Sequence, residues 1–178
     1  MRILQLLPEL KFGGVERGTV DLSEHLTKLG HQSAVVSAGG GFTEQLSDHG
    51  AKHFSLPIAK KNFLAIKQYK NLRDIYREFK PDIIHVRSRF PAWINVLALK
   101  GLPSSKPIVI STFHGLYSKP FYSKSMSYAD DIIAISKTVQ EYVFKYYDVD
   151  HSRVHLIYRG CDIDEFNASP PSEAWSNS

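Results

Sequence analysis

Three kinds of residue in this 178-residue chain have the chemistry to hold or transfer an anionic group: a glycine pair, a few arginines and serines, and one histidine. Gly13-Gly14 stands between a short apolar strand, Arg2 to Leu7, which Pro8 stops, and a helix beginning near Glu16. Glycines at such a junction let backbone N–H groups approach a ligand closely, because no Cβ intervenes. The helix N-terminus behind them carries partial positive charge and unpaired donors, which favours phosphate or carboxylate. Arg87 and Arg89 carry guanidinium forks suited to planar or tetrahedral anions, and strand period puts the two on the same side. Ser88 lies between them, and Ser136 and Arg159 follow later strands. His114 can donate a hydrogen bond in either protonation state, which suits charge developing on a substrate. On residue type alone, alternatives stay open: a plain turn at Gly13-Gly14, a carboxylate partner for at least one of Arg87 and Arg89, a capping or packing role for His114, and an N-cap at Ser136.

The loop matches neither common phosphate signature. A dinucleotide fingerprint needs G-x-G-x-x-G and an acidic residue after the second strand. The chain has Gly-Gly instead, and its second strand runs into Ser37-Ala38-Gly39-Gly40-Gly41 without a carboxylate. No G-x-x-x-x-G-K-[ST] occurs, which excludes a P-loop. A nucleotide-dependent oxidoreductase on a similar sheet is disfavoured for the first of these reasons.

The elements that must position these residues alternate. Short apolar runs bracketed by turn residues predict strands over 3–7, 33–37, 53–56, 83–86, 108–112, 132–135 and 154–157. Helical stretches lie near 16–29, 42–49, 62–79, 90–100, 121–129 and 136–147; in the first, Val20, Leu22, Leu26 and Leu29 recur at roughly helical spacing and Gly30 follows as a stop. Strict β-α alternation argues for an α/β fold with a doubly wound, mostly parallel, Rossmann-like sheet. Ligands then bind beyond the carboxyl ends of the strands, where loops 8–15, 38–41, 87–90, 113–120, 136 and 158–162 gather the glycines, cations, histidine and hydroxyls. Residues 1–168 read as one domain, and the Pro-, Ser- and Asn-rich stretch 169–178 as a linker or disordered tail.

Composition narrows the class. Hydrophobic content of 43% and charged content of 22% are ordinary for a soluble globular domain. A single cysteine, Cys161, excludes an internal disulfide, suits a reducing compartment and reads as a small packing residue. No run approaches the ~20 apolar residues of a membrane span, and the N-terminal apolar run is too short for a signal peptide. A cytoplasmic protein is expected. The net charge is +4, and much of it falls in one helical stretch: Lys60, Lys61, Lys67, Lys70, Arg73, Arg77 and Lys80. Ile66, Tyr69, Leu72, Ile75, Tyr76 and Phe79 form its apolar face, so most of the cations point outward. The face is either simply solvated or drawn to anionic lipid headgroups, with Lys67, Lys70 and Arg77 as the surface contacts. Asp74 and Glu78 interrupt it, which argues against nucleic acid.

Six stretches, in order, resemble the N-terminal half of a glycosyltransferase family 4 enzyme of the two-domain GT-B fold. They are Gly13-Gly14-Val15-Glu16, Leu29-Gly30-His31, Pro81 to Arg89, Thr112-Phe113-His114-Gly115, Ala129 to Ser136 and Arg159 to Phe166. The run from Arg87 to Trp93 looks most like bacterial members that build cell-surface polysaccharide or lipopolysaccharide. The resemblance implies a retaining, metal-independent transfer of sugar from a nucleotide-sugar donor to a glycan, lipid-linked or phosphorylated acceptor, with no cofactor. It implies that Gly13 and Gly14 approach the donor diphosphate and that His114, the catalytic residue, sits near the transferred sugar. Arg87, Ser88, Arg89, Ser136 and Arg159 are then the acceptor-side candidates, although Arg159 stands where many members carry asparagine. A donor-binding C-terminal domain with paired glutamates would lie outside this chain, which alone is expected to be inactive. The alternative is a stand-alone binding module for a phosphorylated or acidic ligand.

Overall fold

The computed structural model describes residues 1–60, 62–102, 106–118 and 120–160. Seven strands form one sheet: β1 (Arg2–Leu6), β2 (Gln32–Ser37), β3 (Lys52–Ser55), β4 (Ile83–Val86), β5 (Ile108–Phe113), β6 (Asp131–Ala134) and β7 (Val154–Leu156). All pairings are parallel, in the order β3-β2-β1-β4-β5-β6-β7. This is the doubly wound sheet expected from the alternation, and its strand order reverses between β1 and β4.

Period-2 alternation sends each strand's side chains to two separate cores. Leu4, Leu6, Ala34 and Val36 join the larger cluster with Ile84, Val86, Phe113 and Met126, covered by helices α4 (Tyr69–Phe79) and α5 (Arg89–Leu99). Val35 and Leu7 face the other way, against Val20 and Leu46 of α1 (Gly14–Lys28) and α2 (Thr43–Asp48). α1 ends as expected: Gly30 takes φ 78, and the Gly30 and His31 N–H groups return to Thr27 and Leu26 carbonyls.

Two predicted helices are broken. The stretch 62–79 divides into α3 (Phe63–Ile66) and α4, because Gln68 N–H bonds to Ala65 O and Lys70 N–H to Lys67 O. These three-residue bonds interrupt the α ladder and re-aim the chain. The stretch 121–129 is one turn, α6 (Pro120–Ser123), then a 3₁₀ segment Lys124–Tyr128. There Ser125 and Ser127 hydroxyls donate to Arg89 and Lys124 carbonyls, and Met126 O accepts from Ser111 Oγ at 2.7 Å. Side-chain bonds of this kind compete with the helix. The seventh helix, α7 (Lys137–Tyr146), starts where predicted.

The basic stretch is used unevenly. Lys60, Lys67, Lys70 and Arg77 are exposed, while Arg73 donates to the Leu97 and Ala98 carbonyls at the end of α5, tying the two helices together. Arg77 pairs with Asp74 at 2.8 Å, and Lys80 closes α4 in the left-handed region. Lys61, Cys161 and the 169–178 stretch lie outside the described residues. Among the described residues no helix is long and apolar enough to cross a membrane.

The glycines after β2 support protein, not ligand. Leu10 N–H bonds to Gly39 O at 2.8 Å and Phe42 N–H to Leu10 O at 3.0 Å, which lashes the β2 loop beneath the β1 loop. Gly40 has φ 149, and a Cβ there would collide with the Leu10 and Lys11 backbone. Gly40→Ala is expected to cost about 2 kcal/mol or more of stability, from strain plus overpacking, as read by chemical denaturation; a neutral substitution contradicts this packing.

Candidate functional site

The strand reversal at β1 and β4 opens a crevice at their carboxyl ends, the place where open α/β sheets bind ligands. The residues that line it come from four strands. Gly13 is the N-cap of α1 and Gly14 its first residue; no side chain caps this end, so the first-turn donors stay open. Glu16 lies close by: a Cβ on Gly13 would collide with its carboxylate.

Arg87 leaves the end of β4 and turns inward. It is 8% exposed, and its Nη1 donates to Gln5 Oε1 at 3.1 Å. Gln5, fully buried on β1, donates in turn to Thr19 O at 2.9 Å and Ser23 Oγ at 2.8 Å on α1. Nε of Arg87 is buried without a partner among the described residues. Burial and Arg159 lower the Arg87 pKa to about 10, opposed by Asp21 and Glu16; the group is charged at neutral pH. Arg159, beyond β7, brings its guanidinium back across the sheet edge to α1. A Cβ at Gly14 would stand 2.7 Å from its Nη1, and one at Gly18 3.0 Å from its Nη2 and 3.4 Å from Arg87 Nη2.

His114 follows β5. Burial, then Arg87 and Arg159, lower its pKa to about 3, so it is neutral at physiological pH, and its Nε2 is buried without a partner among the described residues. Its backbone N–H reaches Tyr117 Oη at 3.4 Å. His85, on β4, is buried and bonded to Thr112 Oγ1 at 2.7 Å, and burial keeps it neutral too. It packs at the edge of the core.

Arg89 does not share Arg87's side. β4 ends at Val86, so strand period no longer applies; Ser88 is the N-cap of α5 and Arg89 its first residue. The Arg89 guanidinium lies over the Tyr117 ring at 4.7 Å and the Tyr122 ring at 5.5 Å. Ser88 makes no side-chain cap bond, whereas the Ser136 hydroxyl accepts from Val139 N–H at 3.2 Å as the N-cap of α7. The structure thus gathers Gly13, Gly14, Arg87, His114 and Arg159, with Ser88 and Arg89 beside them and Ser136 committed to a cap. Lys67, Lys70 and Arg77 belong to the segment before β4, away from this crevice. Gln5 and Gly18 went unassigned in the sequence; the signal for Gln5 was one polar residue inside an apolar strand.

A cavity of about 610 Å³ opens at the opposite, amino edge, lined by Arg2, Tyr76, Arg77, Lys80 and Lys106 among others. Two of its cations are already paired, Arg2 with Asp82 and Arg77 with Asp74. Its size exceeds what its chemistry supports. Among the described residues no group of three or more His, Cys, Asp or Glu is placed to hold a metal.

The sequence profile of Glycosyltransferase Family 4 matches residues 12–165. The chain belongs to this family. The match covers the glycine loop, Arg87, His114 and Arg159 together. No curated protein matches the chain. Among solved structures, a glycosyltransferase from Rickettsia africae ESF-5 is similar at 32% identity and TM-score 0.80, over 98% of this chain and 47% of that one. The lipopolysaccharide outer core galactosyltransferase WaaB (18% identity, TM-score 0.74, 92% and 47% covered) shares the fold. So does Anabaena HepE in complex with UDP-glucose, at 18% identity and TM-score 0.71, with 92% and 45% covered. The family 4 chain described here spans about half the length of each.

The neutral histidines have a consequence for stability. His114 and His85 stay uncharged in the folded chain, while in the unfolded chain they take up protons below about pH 6.5. Their depressed folded pKa values therefore leave stability intact above that pH and erode it as pH falls, by ~2 kcal/mol at pH 5 for His114. His114→Gln should flatten the fall in unfolding midpoint between pH 7 and pH 5; an unchanged slope would show that His114 is not held neutral.

Proposed function

We propose that this chain is the acceptor-side half of a retaining glycosyltransferase that takes sugar from a nucleotide-sugar donor. One observation carries the reading: an uncapped helix N-terminus, a buried unpartnered histidine nitrogen and two guanidiniums converge at the sheet's switch point. In the transfer, the bond from the anomeric carbon to the donor's phosphate oxygen breaks, one to an acceptor hydroxyl oxygen forms on the same face, and that hydroxyl's proton passes to the departing phosphate. Negative charge grows on the departing diphosphate, where the open N–H groups at Gly13-Gly14 and the dipole of α1 stabilise it. Neutral His114 hydrogen-bonds and orients the sugar through Nε2. It is a positioner and charge stabiliser here, because a group with a pKa near 3 is a poor general acid at pH 7. The transfer needs no metal or cofactor in this reading.

The acceptor is anionic or lipid-linked, met by Arg87, Ser88, Arg89 and Arg159, and its place in cell-envelope glycan or lipopolysaccharide synthesis follows the likeness to WaaB. The donor is a nucleoside diphosphate sugar, as in HepE, which was solved with UDP-glucose. A second domain supplies the remaining donor contacts. Support for a facing surface comes from apolar side chains around the same edge: Phe12 and Phe121 are each 85% exposed, and Leu116 and Tyr158 join them. The protein works in the cytoplasm at the inner face of a membrane, held there by Lys67, Lys70 and Arg77.

Two measurements test this. Native protein from its source cells, offered nucleotide-sugars, should transfer sugar and lose about 100-fold in kcat on His114→Ala, the scale for removing one transition-state donor. The 178-residue chain alone should show no turnover; measurable turnover sinks the half-enzyme reading. Separately, co-sedimentation with anionic vesicles should weaken with salt, and reversing Lys67, Lys70 and Arg77 to Glu should weaken it by about 100-fold or more, at ~1 kcal/mol per basic residue. Undiminished binding after reversal removes the basic-helix anchor.

A further inference from the structure

Gly18 sits in the second turn of α1, where glycine costs about 1 kcal/mol against alanine. Its position four residues after Gly14 puts the two on one face of the helix. The Arg159 guanidinium lies along that bare strip, Nη1 toward Gly14 and Nη2 toward Gly18, and Arg87 Nη2 approaches Gly18 as well. Two like charges are thus brought together near the positive end of a helix. Among the described residues neither forms an ion pair: Asp21 is held by Arg17 at 2.7 Å, and Glu16 acts on Arg87 only through space. Arg159 makes no hydrogen bond to them either. Arg87 cannot swing away, because Gln5 fixes its Nη1, yet its buried Nε has no partner. Such an arrangement is costly empty and favourable when an anion lies between the forks.

We infer that Arg87 and Arg159, seated over Gly18, form a binding site for a phosphate group. A phosphate offers oxygens to both forks at once, and the open donors at the start of α1 lie one turn away. Arg89 has no part in it, being committed to Tyr117 and Tyr122. Gln5 is the positioning residue that holds one fork in place. Whose phosphate it is, the donor's diphosphate or a phosphorylated acceptor's, rests on the glycosyltransferase reading; the site itself does not.

The unfolding midpoint of the chain, measured in sodium phosphate and in sodium chloride at equal ionic strength, tests the site. Phosphate at tenfold its dissociation constant should raise the midpoint by about 4 °C. Arg159→Gln should abolish that increment without lowering the midpoint in chloride, since it relieves repulsion. Gly18→Ala should weaken it while keeping the fold, because its Cβ would stand 3.0 Å from Arg159 Nη2 and press that fork aside, and alanine favours the helix. Lys100→Gln, at an exposed lysine outside the site, should respond as the parent does. A full increment retained in Arg159→Gln or Gly18→Ala overturns the proposal. Protection by UDP that depends on Arg159 marks the donor as the source; protection by glucose 6-phosphate marks an acceptor. If neither protects, the site is not a substrate phosphate site and the inference fails. Failure of the transferase reading would register elsewhere, as absence of transfer by the native protein.

Discussion

The carboxamide of Gln5, fully buried, has to satisfy its donors and acceptor inside a sheet, and how it does so sets the geometry of everything at the switch point. Its Nε2 donates to Thr19 O and Ser23 Oγ, which locks α1 against β1; its Oε1 accepts from Arg87, which locks the end of β4 to both. Removing the acceptor would strand a buried guanidinium, and an uncompensated buried charge is among the most expensive defects a fold can carry. The glycine loop, α1 and Arg87 therefore move as one unit. The sheet order makes this possible: β1 and β4 are neighbours, with Gln5 directly opposite His85.

The strands were legible because each is a short apolar run between turn residues, as strands covered on both faces must be. Their ends shifted by a residue or so where polar side chains such as Arg2, Gln32, Lys52 and Asp131 join the ladder. The break at Lys67–Gln68 was not legible, since the apolar spacing from Ile66 to Phe79 continues across it and tertiary packing decides the turn. Arg87 and Arg89 parted for a related reason: two residues beyond the last ladder bond, the period of a strand no longer governs direction. Within the site, Gly13-Gly14 and His114 could be found because their loops follow strands directly. The seating of Arg159 on Gly14 and Gly18 could not, because it joins the two ends of the described chain across the sheet edge, and no local pattern encodes such a contact.

Charge state follows from the same geometry. His114 is neutral partly because two guanidiniums already occupy its surroundings. A ligand anion between those guanidiniums would offset the repulsion on His114 and raise its pKa, so occupancy of one part of the crevice is linked to proton affinity in another. The site therefore carries fixed positive charge on arginines, which cannot lose it at neutral pH, and a hydrogen-bonding but uncharged imidazole beside them. This division suits a reaction in which charge grows on a leaving phosphate and the sugar needs orientation more than proton transfer.

The two edges of the sheet use charged side chains in opposite ways, and the contrast says which edge is built for a ligand. At the amino edge, Asp82 accepts from the Arg2 N–H at 2.6 Å and pairs with its guanidinium, Asp130 accepts from Val109 N–H at 2.8 Å, and Arg153 donates to the Ala129 and Asp130 carbonyls. Each of these charges closes off an orphan backbone group or ties neighbouring strands, so it is spent on the fold. At the carboxyl edge the chain does the reverse. It places glycine inside a helix at a cost in propensity, leaves α1 without a side-chain cap, and holds two guanidiniums and a histidine nitrogen without matching partners among the described residues. Strain and unmet polar groups persist only where something offsets them, and along this edge a bound anion has the sign to do so.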